Sequence, residues 1–161
     1  MWGTSVVHRL AFWWQICYHQ TMRVVIDTNV FVGACLGVGA SNGVIRACLE
    51  RRVVPLMGET LFREFEAVLA RDALFVNSRL NAQERNALLD SYLALCEWTR
   101  VYFLWRPNLQ DESDNHLIEL AVAGDADAIV TRNLRDLQGA QLRFGALRVI
   151  SPEDFLKELL T

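Results

Sequence analysis

The chain is short of lysine, of proline and of positive charge, and each shortage narrows what it can be. Lys157 is the single lysine among 16 basic residues, and the formal net charge is −3. No overall positive field draws such a molecule onto nucleic acid, so any such binding has to come from a local patch. The arginine bias suits bidentate phosphate contacts but proves nothing alone. No apolar run approaches the roughly 20 residues needed to span a bilayer. The longest candidate, Leu10 to Tyr18, carries Phe12, Trp13, Trp14 and Ile16 but stops short. It is also a poor signal peptide, with only Arg9 as a positive flank and no small-x-small cleavage site. Cysteine is sparse and scattered: Cys17, Cys35, Cys48 and Cys96 are too widely spaced for a paired metal-ligand motif and read as core thiols in a reducing cytoplasm.

What is present is enough for one globular domain. With 161 residues, 52% of them hydrophobic and 22% charged, the chain can bury a core without staples. Residues 1–21 differ in composition from the rest, and the domain is expected to run over 22–161, with 1–21 either an upstream extension or a loosely docked aromatic segment. There are no internal repeats and no low-complexity tracts.

Short apolar runs alternate with helical patterns. Arg23 to Asp27 reads as a strand buried on both faces. Gly37, Gly39 and Gly43 mark a loop, with Ser41 as the cap of a helix over Gly43 to Arg51. Val53 to Met57 reads as a second strand, which Pro55 pushes toward an edge or strand end. Leu61, Phe62, Phe65, Val68 and Leu69 then recur at helical spacing, and a further helix is expected from about Asn81 to Glu97. Val101 to Trp105 is the candidate third strand. After it, Asp111 or Ser113 caps a helix whose buried stripe is Leu117, Ile118, Ala121 and Val122, ending at Gly124. Ala128 to Thr131 and Arg148 to Ile150 complete the strands, and Ser151-Pro152-Glu153 opens a last helix. This alternation implies a three-layer α/β/α, Rossmann-like fold around a short parallel sheet of four to five strands.

In such a sheet ligands bind beyond the carboxyl ends of the strands, where Asp27 falls. Asp111 and Asp114 lie just past the third strand, three residues apart at a helix start, and Glu64 lies early in the helix after the second. Gathered on one rim, these carboxylates would repel one another unless a divalent cation intervened. Each has a plainer explanation: Asp111 as a cap, Asp114 as a partner of the helix dipole, Glu64 with Glu66 as an exposed face. Asp27 is harder to explain away, because a carboxylate closing an apolar central strand is costly to bury without a partner.

Four segments carry a family resemblance. Val24-Val25-Ile26-Asp27-Thr28-Asn29-Val30-Phe31 resembles the opening strand and turn of PIN domains, and Asp111-Glu112-Ser113-Asp114-Asn115 resembles the acidic signature of one PIN subgroup. Glu64-Phe65-Glu66-Ala67-Val68-Leu69 is similar to the family's acidic helix, and Ala126 to Leu137, with Thr131-Arg132-Asn133, to its late strand and turn. The resemblance extends from Met22 to about Leu160. It implies a ribonuclease that hydrolyses phosphodiester bonds with Mg²⁺ or Mn²⁺, and for VapC-like bacterial members a toxin held inactive by an antitoxin protein. RNA, an antitoxin and a second copy of the chain are then the partners to consider, with no membrane and a cytoplasmic location. The residues matched to metal and catalysis are Asp27, Glu64, Asp111 and Asp114, Asp27 and Asp114 on the principal metal, with Thr28, Asn29 and Thr131 in support. The chain departs from the pattern at Asn133, where many relatives have aspartate, so that either Asn133 or Asp136 completes the edge of the site. The rival readings are a degenerate PIN-like interaction module without catalysis and a response-regulator-like use of Asp27 as nucleophile. The second lacks a matching lysine after the fourth strand. A dinucleotide site at Gly37-Val38-Gly39-Ala40-Ser41-Asn42-Gly43 has the wrong final spacing and does not directly follow the strand.

Overall fold

The structure is a computed structural model that describes residues 21–102, 115–141 and 146–161. Five parallel strands form one sheet in the order β3-β2-β1-β4-β5. They are β1 (Arg23–Ile26), β2 (Val54–Met57), β3 (Glu97–Trp98), β4 (Ala128–Val130) and β5 (Arg148–Ile150). The helices are α1 (Thr28–Cys35), α2 (Gly39–Leu49), α3 (Glu59–Leu69), α4 (Ala82–Leu93), α5 (Asn115–Ala123), α6 (Leu134–Gln141) and α7 (Pro152–Leu160), with a 3₁₀ turn at Asp72–Phe75. This is the three-layer α/β/α arrangement that the alternation of runs implies.

The strands are apolar because the sheet is covered on both faces: Val24, Val25, Ile26, Leu56, Met57, Ala128, Ile129 and Val130 are all fully buried. Strand β1 is central and pairs with β2 on one side and β4 on the other, Ile26 standing opposite Val130. The chain order therefore reverses direction across β1, and the crevice beyond the ends of β1 and β4 is the switch point of the sheet. Asp27 and Thr131 are the next residues of those two strands.

Several local expectations differ from what is found. Helix α1 begins directly after Asp27, in a segment with no polar face to outline a stripe, since Thr28, Val30, Phe31, Gly33, Ala34 and Cys35 are all buried. Thr28, Val30 and Val32 are β-branched, which also hides it from propensity. Helix α2 starts at Gly39, so Ser41 lies inside it, fully buried, and caps nothing. Gly37 does mark the loop, at φ 82°, a left-handed conformation that suits glycine. Pro55 is buried as the second residue of β2, near a strand end as expected, although that strand lies one in from the edge. It fits because Val54 N donates toward β1, to Met22 O, so the next nitrogen faces the β3 side, where pairing begins only at Leu56. The third strand is Glu97–Trp98 rather than a run from Val101, and α4 ends at Leu93 to let the chain reach it. Val101 and Tyr102 are exposed, and residues 103–105 lie outside the described residues. On α5, Leu117, Ile118 and Ala121 are buried, but Val122 is 47% exposed.

Two caps do follow the expected chemistry. Asn81 accepts from Glu84 N while the Glu84 carboxylate accepts from Asn81 N, a reciprocal capping box on α4. Ser151 accepts from Asp154 N at the start of α7, with Pro152 in its first turn. Cys35 and Cys48 are buried and Cys96 half-buried, all as free thiols. Burial raises their pKa values to about 11, 12 and 12, which keeps them protonated and unreactive. Among the described residues no single helix is long and apolar enough to cross a membrane.

Candidate active site

Asp27 closes β1 and caps α1 by position: it is 7% exposed, and its backbone N donates to Val130 O at 3.0 Å. Its carboxylate is gripped by two side chains. Thr131 Oγ1 donates to Asp27 Oδ2 at 2.6 Å, and Asn29 Nδ2 donates to the same oxygen at 2.8 Å. Asn29 Nδ2 also approaches Thr131 Oγ1 at 3.4 Å, and Asn133 N donates to Thr131 Oγ1 at 2.9 Å. Both side-chain grips on Asp27 fall on Oδ2, and the Asn29 backbone N–H adds a further hydrogen bond to the carboxylate. The strand ends dictate this arrangement, because Asp27 and Thr131 emerge side by side from paired strands.

The pKa of Asp27 is raised, first by burial and then by the nearby charge of Glu64. Thr131, Asn29 and His116 oppose that rise. An ionised carboxylate here is thus short of positive charge even with its donors in place.

Glu64 reaches the same region from α3. Its neighbour Phe65 is fully buried, with its ring centroid 5.2 Å from Phe31 and 5.9 Å from Tyr92. Locking Phe65 into that aromatic cluster fixes the rotation of α3 and leaves Glu64 half-buried on the flank. Glu64 Oε2 lies 2.7 Å from His116 Nε2 on α5. That contact holds the Glu64 pKa below its usual value against partial burial. Thr28 Oγ1 faces Glu64 too but falls outside hydrogen-bond geometry, a buried oxygen without a partner. A second such oxygen is Asn115 Oδ1, in the first turn of the helix that carries His116.

Of the residues singled out from the sequence, Asp27, Thr28, Asn29, Glu64 and Thr131 are brought to this one rim. Asn133 and Asp136 sit at its exposed border, where Asn133 Nδ2 donates to Asp136 Oδ2. They are therefore partners of each other, tied to the centre through the Asn133 backbone. Asp111 and Asp114 lie outside the described residues. His116 was not singled out; a histidine one position past an acidic signature, in the first turn of a helix where a cation is disfavoured, was the available signal. Among the described residues, no three His, Cys, Asp or Glu side chains form a metal-ligating cluster.

Comparison with known proteins agrees with the fold. The PIN domain family matches residues 23–135. No curated protein matches the sequence. Among solved structures, VapBC2 from Rickettsia felis, crystallised bound to a DNA fragment from its promoter, is similar with a TM-score of 0.54 at 14% identity, over 81% of this chain and 98% of that one. PAE2754 from Pyrobaculum aerophilum is similar with a TM-score of 0.51 at 15% identity, over 89% of this chain and 94% of that one. At such identities these two likenesses speak for the fold alone. The match over residues 23–135 takes in both strands that meet at Asp27, and on that ground the chain belongs to the PIN-domain family, whose members are generally nucleases.

Proposed function

We propose that this chain is a divalent-metal-dependent endoribonuclease. The observation that carries the reading is the buried Asp27 carboxylate at the switch point of the sheet, oriented by Thr131 and Asn29 through one oxygen and crowded by Glu64. A carboxylate burdened in this way is relieved by a cation. The donors fit a hard ion: two carboxylates, with the buried, partnerless oxygens of Thr28 and Asn115 beside the elements that carry them. Asp27 and Glu64 would hold Mg²⁺ or Mn²⁺, with Asp111 and Asp114 as proposed ligands from the adjoining segment. When bound, such an ion lowers the pKa of a coordinated water and offsets charge on a phosphodiester.

The protein's own residues supply the rest. Thr131 and Asn29 fix the orientation of the Asp27 carboxylate through Oδ2. His116 holds Glu64 ionised and in place. Asn133 and Asp136 form the border over which a strand of RNA would pass. The proposal extends to a toxin of a bacterial toxin–antitoxin pair acting in the cytoplasm, supported by the fold shared with the VapBC2 complex.

The test is cleavage of mixed single-stranded RNA by the full chain with Mn²⁺ or Mg²⁺. Products that vanish with EDTA and with Asp27→Asn support the reading. Cleavage that persists in EDTA overturns the metal mechanism, and an inert parent protein that still binds a partner favours the non-catalytic interaction module.

A further inference from the structure

The turn after β4 is held from two directions, and only one of them is the carboxylate site. On the inner side Thr131 Oγ1 bonds Asp27, and Arg132 N donates to Asn29 Oδ1 at 3.3 Å, so the same turn steadies both donors of the Asp27 carboxylate. On the outer side the Arg132 guanidinium reaches α2. Its Nε and Nη2 donate to Ser41 Oγ at 3.1 and 2.9 Å, and Nη1 lies 3.2 Å from Glu153 Oε1.

Ser41 has little freedom to do anything else. It is fully buried, and its Oγ lies against Gly33 of α1, where an added Cβ would come within 2.6 Å of that oxygen. A buried hydroxyl inside a helix costs stability unless it is satisfied, and here one rigid fork satisfies it twice. A two-point grip fixes both the position and the rotation of the guanidinium.

We propose that Ser41 and Arg132 form a positioning pair, which sets the Thr131-Arg132-Asn133 turn and so aims Thr131 and Asn29 at Asp27. Arg132 acts through its neighbours and not on the substrate, because its guanidinium is already committed to protein partners on α2 and α7. This rests on the reading of Asp27 as a metal-binding and catalytic carboxylate. Losing a group that orients a ligand typically costs about 10–100-fold in metal affinity or activity.

The experiment uses the full chain, with Mn²⁺ alone as the metal probe and single-stranded RNA as substrate, for Ser41→Ala, Arg132→Ala and the double variant. Ser41→Ala is expected to lower kcat about tenfold with KM within about twofold, and to weaken Mn²⁺ binding in parallel. The double variant should be no worse than Arg132→Ala, as for two residues acting as one unit. In metal-free, RNA-free protein, the Asn29 side-chain amide and Thr131 backbone resonances should shift in Ser41→Ala. Arg132→Lys, which can keep one bond to Ser41, should recover part of the loss, and it carries the test if Arg132→Ala does not fold. A rise in KM with kcat unchanged would mean that Arg132 touches RNA, and unmoved Asn29 and Thr131 resonances would sink the proposal. If the parent shows no cleavage at all, the nuclease reading fails, while the resonance shifts still decide the positioning role.

Discussion

Replacing Thr131 by valine removes one hydroxyl and almost nothing else, and the consequence depends on whether Asp27 is ionised. The hydroxyl is fully buried and donates at 2.6 Å to Asp27 Oδ2, while accepting from Asn133 N at 2.9 Å. A hydrogen bond to a charged group contributes about 1.5–3 kcal/mol, and a neutral one about 0.5–1.5 kcal/mol. Asn133 is exposed, so its freed N–H can turn to water. The expected loss in metal-free protein is therefore about 2–3 kcal/mol with Asp27 charged, or roughly 4–12 °C in Tm for a domain of this size. The pKa of Asp27 is already raised by burial, so its contribution to stability is fully present below its unfolded pKa and lost as pH rises through the folded value. Without Thr131 that folded pKa rises further. The gap between variant and parent must therefore widen with rising pH, and shrink toward about 1 kcal/mol once the carboxyl is protonated. Urea melts in EDTA at a series of pH values from 4 to 8 measure this, with Thr131→Ser as the control that keeps the hydroxyl. A gap of equal size at both ends of that range would refute the assignment of Thr131 to the ionised form of Asp27.

His116→Ala should produce the opposite pH signature. Its contact holds the Glu64 pKa down, stability that is present above the unfolded pKa of Glu64 and lost as pH falls through the folded one, so the variant should show the Glu64 pKa moved upward in a carboxyl NMR titration. Asn81→Ala breaks the capping box of α4 and should cost about 1 kcal/mol in urea unfolding, with RNA cleavage unchanged. Gly124→Ala places a Cβ 2.5 Å from Leu56 Cδ1 and 3.2 Å from Leu120 O, so overpacking of about 1–3 kcal/mol is expected in the same assay. A Gly124→Ala protein as stable as the parent would show that α5 can move away from β2.

Much of the architecture was legible because it depends on local periodicity. The β-branched run closing on Asp27, the stripe of α3 and the Ser151-Pro152 start of α7 each state their structure within a few residues. Where the reading missed, the cause was an interaction that no short window contains. Helix α1 is buried almost all round by later parts of the chain, so its sequence has no polar face to mark a period. Pro55 is tolerated because β3 pairs only from Leu56 onward. Ser41 looked like a cap, and is instead a buried acceptor for an arginine 91 positions away.

The same division runs through the site. The sequence by itself determined that an aspartate ends the central strand and that Glu64 rides on an amphipathic helix, because burial of an apolar strand and of a helical stripe is written in residue order. Only the tertiary structure decided that Thr131 and Asn29 share one oxygen of Asp27, that His116 pairs with Glu64, and that Ser41 anchors the turn beside them. Apart from the bond of Asn29 to Asp27, those contacts join residues far apart in the chain, and their geometry is set by strand order and helix packing, which one residue's neighbours in sequence do not specify.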